Sequence, residues 1–364
     1  MDIHNLFKRA DPAPICCGTG LVALDVVYPK MDTDSPELYV GGSCGNVLTI
    51  LAYLGWRSYP FARLKNDIFS EVLVKDLQRW QVKTDFISKS GSGSTPLIVE
   101  KISQNRNDEP FHTFNMTCPR CGSILPRYKP VLTKEINLIR DLLPNPFVFY
   151  LDRVSRGNIL LAQEFKNKGA LIFFEPSSIK SDKMFNECIV LADIVKYSDT
   201  TKVRDPTILK GSEIPLIIRT LGSKGIEYSY MGDRLDGMNM HHMDAFSLKH
   251  RVDTAGAGDW CSAGVIHALN KYNPQSINHI SNTILSEILS FGQALAALNC
   301  QYSGARGNMY HMTLNNLAAI VTKLLNGEDY VTPKERITPV YMTNKTEPLC
   351  PKCLKSPSNQ TFEP

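Results

Sequence analysis

Four cysteines fall into two matched pairs, Cys118-Pro119-Arg120-Cys121 and Cys350-Pro351-Lys352-Cys353, each a C-P-basic-C knuckle. A tight turn of this kind aims two thiolates at one point. Two halves together make a closed four-thiolate site, and soft ligands in tetrahedral geometry select zinc as a structural ion. The 229 positions from Cys121 to Cys350 are far more than a zinc ribbon uses, so the fold must bring the tail back to residues 118–121. Two unrelated turns, or a redox-active C-x-x-C, are the competing readings. The other six cysteines, Cys16, Cys17, Cys44, Cys188, Cys261 and Cys300, sit among apolar or small residues, where free Cys packs as a small hydrophobe.

A second constellation is Asp253-Thr254-Ala255-Gly256-Ala257-Gly258-Asp259, which runs into the helical pattern of Trp260 to Leu269. Small residues ahead of a helix leave backbone N–H groups open, and with the helix dipole they form an anion site suited to phosphate. Asp259 lies in the first turn, where a carboxylate beside a bound phosphate could take the proton of an attacking hydroxyl. The same residues read equally as a helix start, with glycine for packing and aspartate as a cap. A rival chemistry is Gly41-Gly42-Ser43-Cys44-Gly45, which fits the G-x-S-x-G elbow of α/β-hydrolases. Any of His241, His242, His250, His267, His279 and His311 could then be nominated as its base, and the 253–259 segment would have no role.

These residues must be held by a framework in which short β-type runs alternate with helical patterns, the signature of a parallel sheet covered by helices. Strands are expected at Ile15 to Val27, Phe147 to Leu151, Ala170 to Phe174, Ile194 to Tyr197, Leu216 to Leu221 and Ile226 to Tyr230. Helical stripes run through Val47 to Leu54 and Ile284 to Leu295. Residues 88–130 break this rhythm as a hairpin excursion ending at the first knuckle, and the chain beyond Lys334 is expected to be a tail pinned only at its own knuckle. With 364 residues, 43% apolar, the chain can bury a large core. Forty basic against thirty-six acidic residues leave +4 with no basic run, so no nucleic-acid or membrane partner is expected. The N-terminus has no apolar signal region, which points to the cytoplasm.

Asp253 to Asp259 resembles the D-T-x-G-A-G-D signature of the ribokinase-like (PfkB) family of carbohydrate and nucleoside kinases. Gly41-Gly42-Ser43-Cys44-Gly45-Asn46, continuing into Leu51-Ala52-Tyr53-Leu54-Gly55, resembles that family's G-G-x-x-x-N helix start. Thr220-Leu221-Gly222-Ser223-Lys224-Gly225 resembles its T-L-G-x-x-G turn, and Asp25 falls where the family has a substrate-binding aspartate. The match runs from about residue 15 to about residue 325.

The resemblance implies a three-layer α/β fold, a central mostly parallel sheet flanked by helices with a small β lid. The kinase domain would span residues 1–332, with lid and insertion at about 26–41 and 88–130, and residues 333–364 would form the zinc-knuckle tail. It further implies ATP with Mg²⁺ as cofactors and γ-phosphoryl transfer to a sugar or nucleoside hydroxyl. Asp259 would be the base, and the amides of Gly256, Ala257 and Gly258 the anion hole. Asp25, Gly41, Gly42 and Asn46 would bind substrate. Thr220, Gly222 and Gly225 would line the nucleotide site, with Asn299 near the adenine, and Asp253 would bind a monovalent cation such as K⁺. Lids of the family often pair between subunits, which admits a homodimer. The sequence departs from the family's N-x-x-E, with Ser198 for the Asn and Thr201 for the Glu, and from D-P-N at Glu175-Pro176-Ser177. Slow turnover, or a sensor of the same fold that binds without catalysis, is what those departures imply.

Overall fold

The computed structural model describes residues 3–28, 36–104, 110–179, 182–203, 209, 212–231, 239–248, 250–272, 277–339, 341–342 and 349–354. Residues 29–35 of the expected lid, 105–109 of the excursion and 355–364 of the tail lie outside them. In chain order the strands are β1 (Ile15–Thr19), β2 (Ala23–Tyr28), β3 (Glu37–Gly41), β4 (Arg57–Lys65), β5 (Ile87–Ser90), β6 (Leu97–Gln104), β7 (Pro110–Asn115) and β8 (Val148–Leu151). There follow β9 (Leu171–Phe174), β10 (Ser178–Ile179), β11 (Ile194–Ser198), β12 (Lys202–Val203), β13 (Leu216–Thr220), β14 (Ile226–Tyr230), β15 (His241–Met243) and β16 (Tyr341–Met342). The helices are α1 (Ile3–Phe7), α2 (Ser43–Tyr53), α3 (Ile68–Arg79), α4 (Thr133–Ile139), α5 (Arg156–Asn167) and α6 (Lys183–Leu191). After them come α7 (Ala257–Tyr272), α8 (Asn282–Asn299), α9 (Gly307–His311), α10 (Leu314–Leu325) and α11 (Pro351–Leu354).

A nine-stranded sheet runs β15-β14-β13-β11-β9-β8-β1-β4-β5, parallel except where β14 joins β13 and β15. Its inner strands β1, β8 and β9 are buried on both faces, as near-continuous apolar runs predict for a covered parallel sheet. Successive residues part company: Cys16, Val148, Tyr150, Phe173, Ile194 and Leu216 face one core, with α2, α7 and α8. Cys17, Phe149, Leu151, Phe174, Val195 and Ile217 face the other, with α5 and α6. This is the mixed α/β, helix-covered architecture expected. Among the described residues, no helix is long and apolar enough to cross a membrane.

The strands expected at 147–151, 170–174, 194–197, 216–221 and 226–230 are present with ends shifted by at most one residue. The expected strand over Ile15 to Val27 is instead two, in different sheets. At Gly20 φ is +143°, a Cβ there would lie 1.5 Å from Asp152 Oδ1, and the chain turns out of the central sheet toward β2. Strand β4, not among the expected strands and carrying Pro60 within it, lies between β1 and β5.

A second, five-stranded sheet is ordered β16-β3-β2-β6-β7. The β6–β7 hairpin is the excursion expected within residues 88–130, whereas β5 belongs to the central sheet. The tail is pinned at more than its knuckle, contrary to the sequence expectation. Tyr341 pairs with Leu38 on β3, Arg336 donates to both carboxylate oxygens of Glu37 at 2.6 and 3.0 Å, and Arg79 donates to the Pro339 carbonyl at 2.7 Å. An edge strand with unpaired amides is a ready acceptor for such a segment.

Candidate active site and cysteine cluster

The C-terminal ends of β1, β8, β9 and β11 deliver Gly20, Asp152, Glu175 and Lys196 to one end of the sheet, the place where open α/β folds bind ligands. Helix α7 starts there. Gly256 adopts φ +70°, and a Cβ on it would lie 2.1 Å from the Ala305 carbonyl oxygen, so this turn accepts only glycine. The N–H groups of Gly258 and Asp259 precede the helix's own hydrogen-bond ladder. That of Ala257 donates to the Thr254 carbonyl at 3.3 Å.

Asp259 is buried, and the side-chain amide of Asn46, on α2, donates to its Oδ2 at 2.7 Å. Burial and the neighbouring Glu175 carboxylate push the Asp259 carboxyl up to about 8, against the pull of the Asn46 amide and the Lys196 ammonium. Asp25, on β2, is held over Gly41, where a Cβ would fall 1.7 Å from its Oδ2. Burial raises its carboxyl to about 7, opposed by the Arg306 guanidinium and the Gly42 N–H. Asp25 Oδ1 and Asn46 Oδ1 are buried without a hydrogen-bond partner.

The α/β-hydrolase alternative has no support here. Gly41 ends β3 in the smaller sheet, away from the central parallel sheet that an elbow requires. His267 is spent on structure, accepting from Trp56 Nε1 at 2.9 Å and bonded to the Leu6 carbonyl at 2.6 Å.

Thr220 ends β13, and the turn through Gly222 (φ +59°) and Gly225 (φ +94°) leads into β14. The Asp199 N–H donates to the Thr220 carbonyl at 2.8 Å, so the 198–201 and 220–225 turns are neighbours. Asn299, expected near the adenine, has its side chain taken up within the fold. Its amide donates to the carbonyls of Ala255, Gly304 and Ala305, its Oδ1 accepts the Asn308 N–H at 3.1 Å, and its residue is fully buried. It fastens the loop before α7 to the loop after α8. Asp253 acts in the same joint, its two carboxylate oxygens accepting the N–H groups of Ala255 at 3.0 Å and Gly304 at 2.8 Å.

Sequence reasoning passed over several buried polar groups of this region. Asp152 accepts the Leu21 N–H at 2.8 Å and pairs with Arg153, and Arg306 pairs with Asp76 at 2.7 Å while its Nε and Nη1 have no partner. Glu100, on β6, has one buried oxygen without a partner. The available signal was positional, since Asp152 directly follows a parallel strand.

At the far end of the small sheet the four knuckle cysteines converge, with sulfurs all within 4.8 Å of one another. Cys121 and Cys350 are 3.4 Å apart, Cys350 and Cys353 3.5 Å, and Cys118 and Cys353 3.7 Å. A tetrahedron with metal–sulfur bonds of about 2.3 Å spaces its sulfurs by about 3.8 Å, so the donor set fits a zinc ion closely. Hydrogen bonds from Ser123 pull the Cys121 thiol down to about 6, toward the thiolate a metal needs. The other six cysteines are buried, as expected of core residues.

Residues 165–311 match the family model described as pfkB family carbohydrate kinase. That segment is similar to the pfkB carbohydrate kinases. The pfkB match contains the 253–259 segment and ends before the tail, so both knuckles fall outside it. Ketohexokinase of Mus musculus is 24% identical over 311 residues, covering 79% of this chain and 96% of that protein. Fructokinase from Vibrio cholerae O395, solved with fructose, ADP and calcium, superposes with a TM-score of 0.61 at 19% identity, over 85% of this chain and 99% of that one. Aminoimidazole riboside kinase from Salmonella enterica gives 0.58 at 17% identity, over 84% and 99%. The chain thus has the ribokinase-like fold of these structures.

Proposed function

We propose that this chain is an ATP-dependent kinase that transfers the γ-phosphoryl group to a hydroxyl of a small sugar. The observation that carries the reading is the 2.7 Å bond from Asn46 to Asp259. It joins two sequence motifs 213 positions apart at the start of α7, beside buried acceptor atoms of Asp25 and Asn46 that a polyol's hydroxyls would satisfy. An unpaired buried acceptor costs roughly 1–3 kcal/mol, so a substrate supplying the missing donors recovers that energy on binding. The relatives named ketohexokinase and fructokinase favour a sugar, and the riboside kinase keeps a nucleoside as the alternative acceptor.

Asp25 and Asn46, with the backbone of Gly41 and Gly42, orient the acceptor. Asp259 takes the proton of the attacking hydroxyl as its oxygen bonds to the γ-phosphorus. The bond from that phosphorus to the bridging oxygen breaks, and its electron pair leaves on ADP. The amides of the Gly256 to Gly258 turn, that of Gly258 being open, would face charge gathering on the transferred group. Magnesium bound with ATP would neutralise further charge, and Asp199 is the carboxylate that the 198–201 turn offers it. The Thr220 to Gly225 turn, beside that segment, would receive the nucleotide. Zinc would sit in the four-cysteine cluster with every position filled, as a structural ion.

A screen of pentoses, hexoses and nucleosides coupled to ADP release tests this reading. Turnover of a sugar is the expected result. ATP binding without turnover of any acceptor would replace it with the sensor reading. Metal analysis should return about one zinc per chain.

A further inference from the structure

We propose that Lys196 is a catalytic residue of this transfer: its buried ammonium, held beside Gly258 by Glu175, contacts the oxygens of the phosphoryl group in flight. The inference rests on the kinase reading and adds a charged group to the site. Lys196 is the middle residue of β11, two positions before Ser198, where the chain departs from N-x-x-E. Its side chain is 1% exposed and forms an ion pair with Glu175. A Cβ on Gly258 would lie 3.5 Å from Lys196 Nζ and 3.8 Å from Glu175 Oε1, so the ammonium stands against the first turn of α7.

The pair is fixed in place. Tyr150 donates to Glu175 Oε2 at 3.1 Å and Ser262, on α7, donates to the same oxygen at 2.6 Å. Oε1 is left for the lysine. Burying two charges is costly, and a well-packed apolar pair of similar size often gives equal or greater stability. A stability role alone therefore explains this pair poorly. An anion arriving at Gly258 explains it well, because a lysine has three N–H donors and one is directed to Glu175. The metaphosphate-like transition state spreads its charge over three oxygens, and a fixed cation in a dry site needs no reorganisation to meet it. Lys196 keeps its proton throughout. The proton of the acceptor goes to Asp259 and the electron pair of the broken bond goes to ADP, so the balance of the step is unchanged.

The test compares wild-type protein with Lys196→Met and with the double variant Lys196→Met/Glu175→Gln, which leaves no orphaned charge and so guards against misfolding. Thermal melting checks that each variant is folded. With the acceptor selected by the screen, kcat should fall by about 10²-fold or more while acceptor KM and ADP affinity stay within about threefold. ADP with aluminium fluoride, a mimic of the group in flight, should bind the variants at least about tenfold more weakly than wild type, a loss that a purely structural lysine would not cause. A folded double variant with wild-type kcat, or with wild-type affinity for ADP and aluminium fluoride, overturns the role of Lys196 and leaves the kinase reading standing. Wild-type protein that turns over no acceptor, and binds ADP with aluminium fluoride no tighter than ADP, overturns both.

Discussion

The carboxyl of Asp259 stands between opposing neighbours, Glu175 and Asp152 raising its affinity for a proton and Asn46 and Lys196 lowering it. With burial the balance puts it at about 8, high for an aspartate and close to what a base working near neutrality needs. As a base it must be ionised, so kcat/KM should rise with pH and level off above about 8. Asp259→Asn keeps the size and removes the acceptor. It should lower kcat by about 10²- to 10⁴-fold, abolish that pH limb and leave nucleotide affinity within about threefold, as steady-state kinetics and calorimetry can check. Full activity in this variant would sink the assignment. The residues of this centre that lie in runs of fixed spacing, Gly41 to Asn46 and Asp253 to Asp259, were legible in the sequence. Asp152, Glu100 and Arg306 were not, because each is a single residue on its own element and only the fold makes them neighbours. The use of the Asn299 amide was not legible either: an asparagine near a helix end offers the same amide to a nucleotide as to backbone carbonyls, and here three carbonyls have it.

Among the elements, the C-terminal tail joins the small sheet at two places. It pairs as β16 on the edge of β3, and through Cys350 and Cys353 it closes on the knuckle that follows β7. Those are the two ends of the five-stranded sheet, so the tail braces the β3–β2–β6 face that carries Asp25 and Glu100. Cys350→Ser should release the metal as completely as Cys118→Ser, seen by metal analysis. Each should raise acceptor KM by about tenfold while ADP affinity changes less than about threefold. Retained zinc, or equal losses of acceptor and ADP affinity, would defeat this bracing role. Arg336→Ala leaves the cysteines intact but removes the cation from the buried Glu37 carboxylate, leaving it only the Tyr39 hydroxyl, and should cost about 1–3 kcal/mol in denaturant melting without loss of metal. The knuckles were readable because a matched pair of C-P-basic-C turns is a local signal. The bracing by β16 was not, since a two-residue strand has no period and its partner lies some 300 positions away. The split of the first strand was hidden likewise: Ile15 to Val27 is apolar or small apart from Thr19 and Asp25, and it is the close approach of Gly20 to Asp152 that marks where the chain leaves the sheet.

Across the whole molecule, burial leaves several carboxyls holding their protons far more tightly than the unfolded chain would: Asp25 at about 7, Asp259 at about 8 and Glu100 at about 9. For an acid raised in the folded state, the stabilisation is fully present below the unfolded value, about 4, and is lost as pH rises through the folded one. The folded protein therefore releases these protons later than the unfolded chain, and stability should decline from about pH 4 to about pH 8, by up to about 1.4 kcal/mol per pH unit for each group. A structural zinc works in the other direction, because acid protonates its thiolates. Comparing wild type with Asp25→Asn/Asp259→Asn at each pH in matched zinc separates the two effects, since the cysteines are common to both proteins. The variant should gain on the wild type as pH rises from 5 to 8, its advantage reaching several degrees in Tm at pH 8. An advantage that stayed constant with pH would mean that the two carboxyls ionise in the folded protein as they do in water, and that the site is far wetter than its packing implies. The same measurement with a bound acceptor should shrink the advantage, because hydroxyls donated to Asp25 and Asp259 stabilise the charged carboxylates that burial alone disfavours.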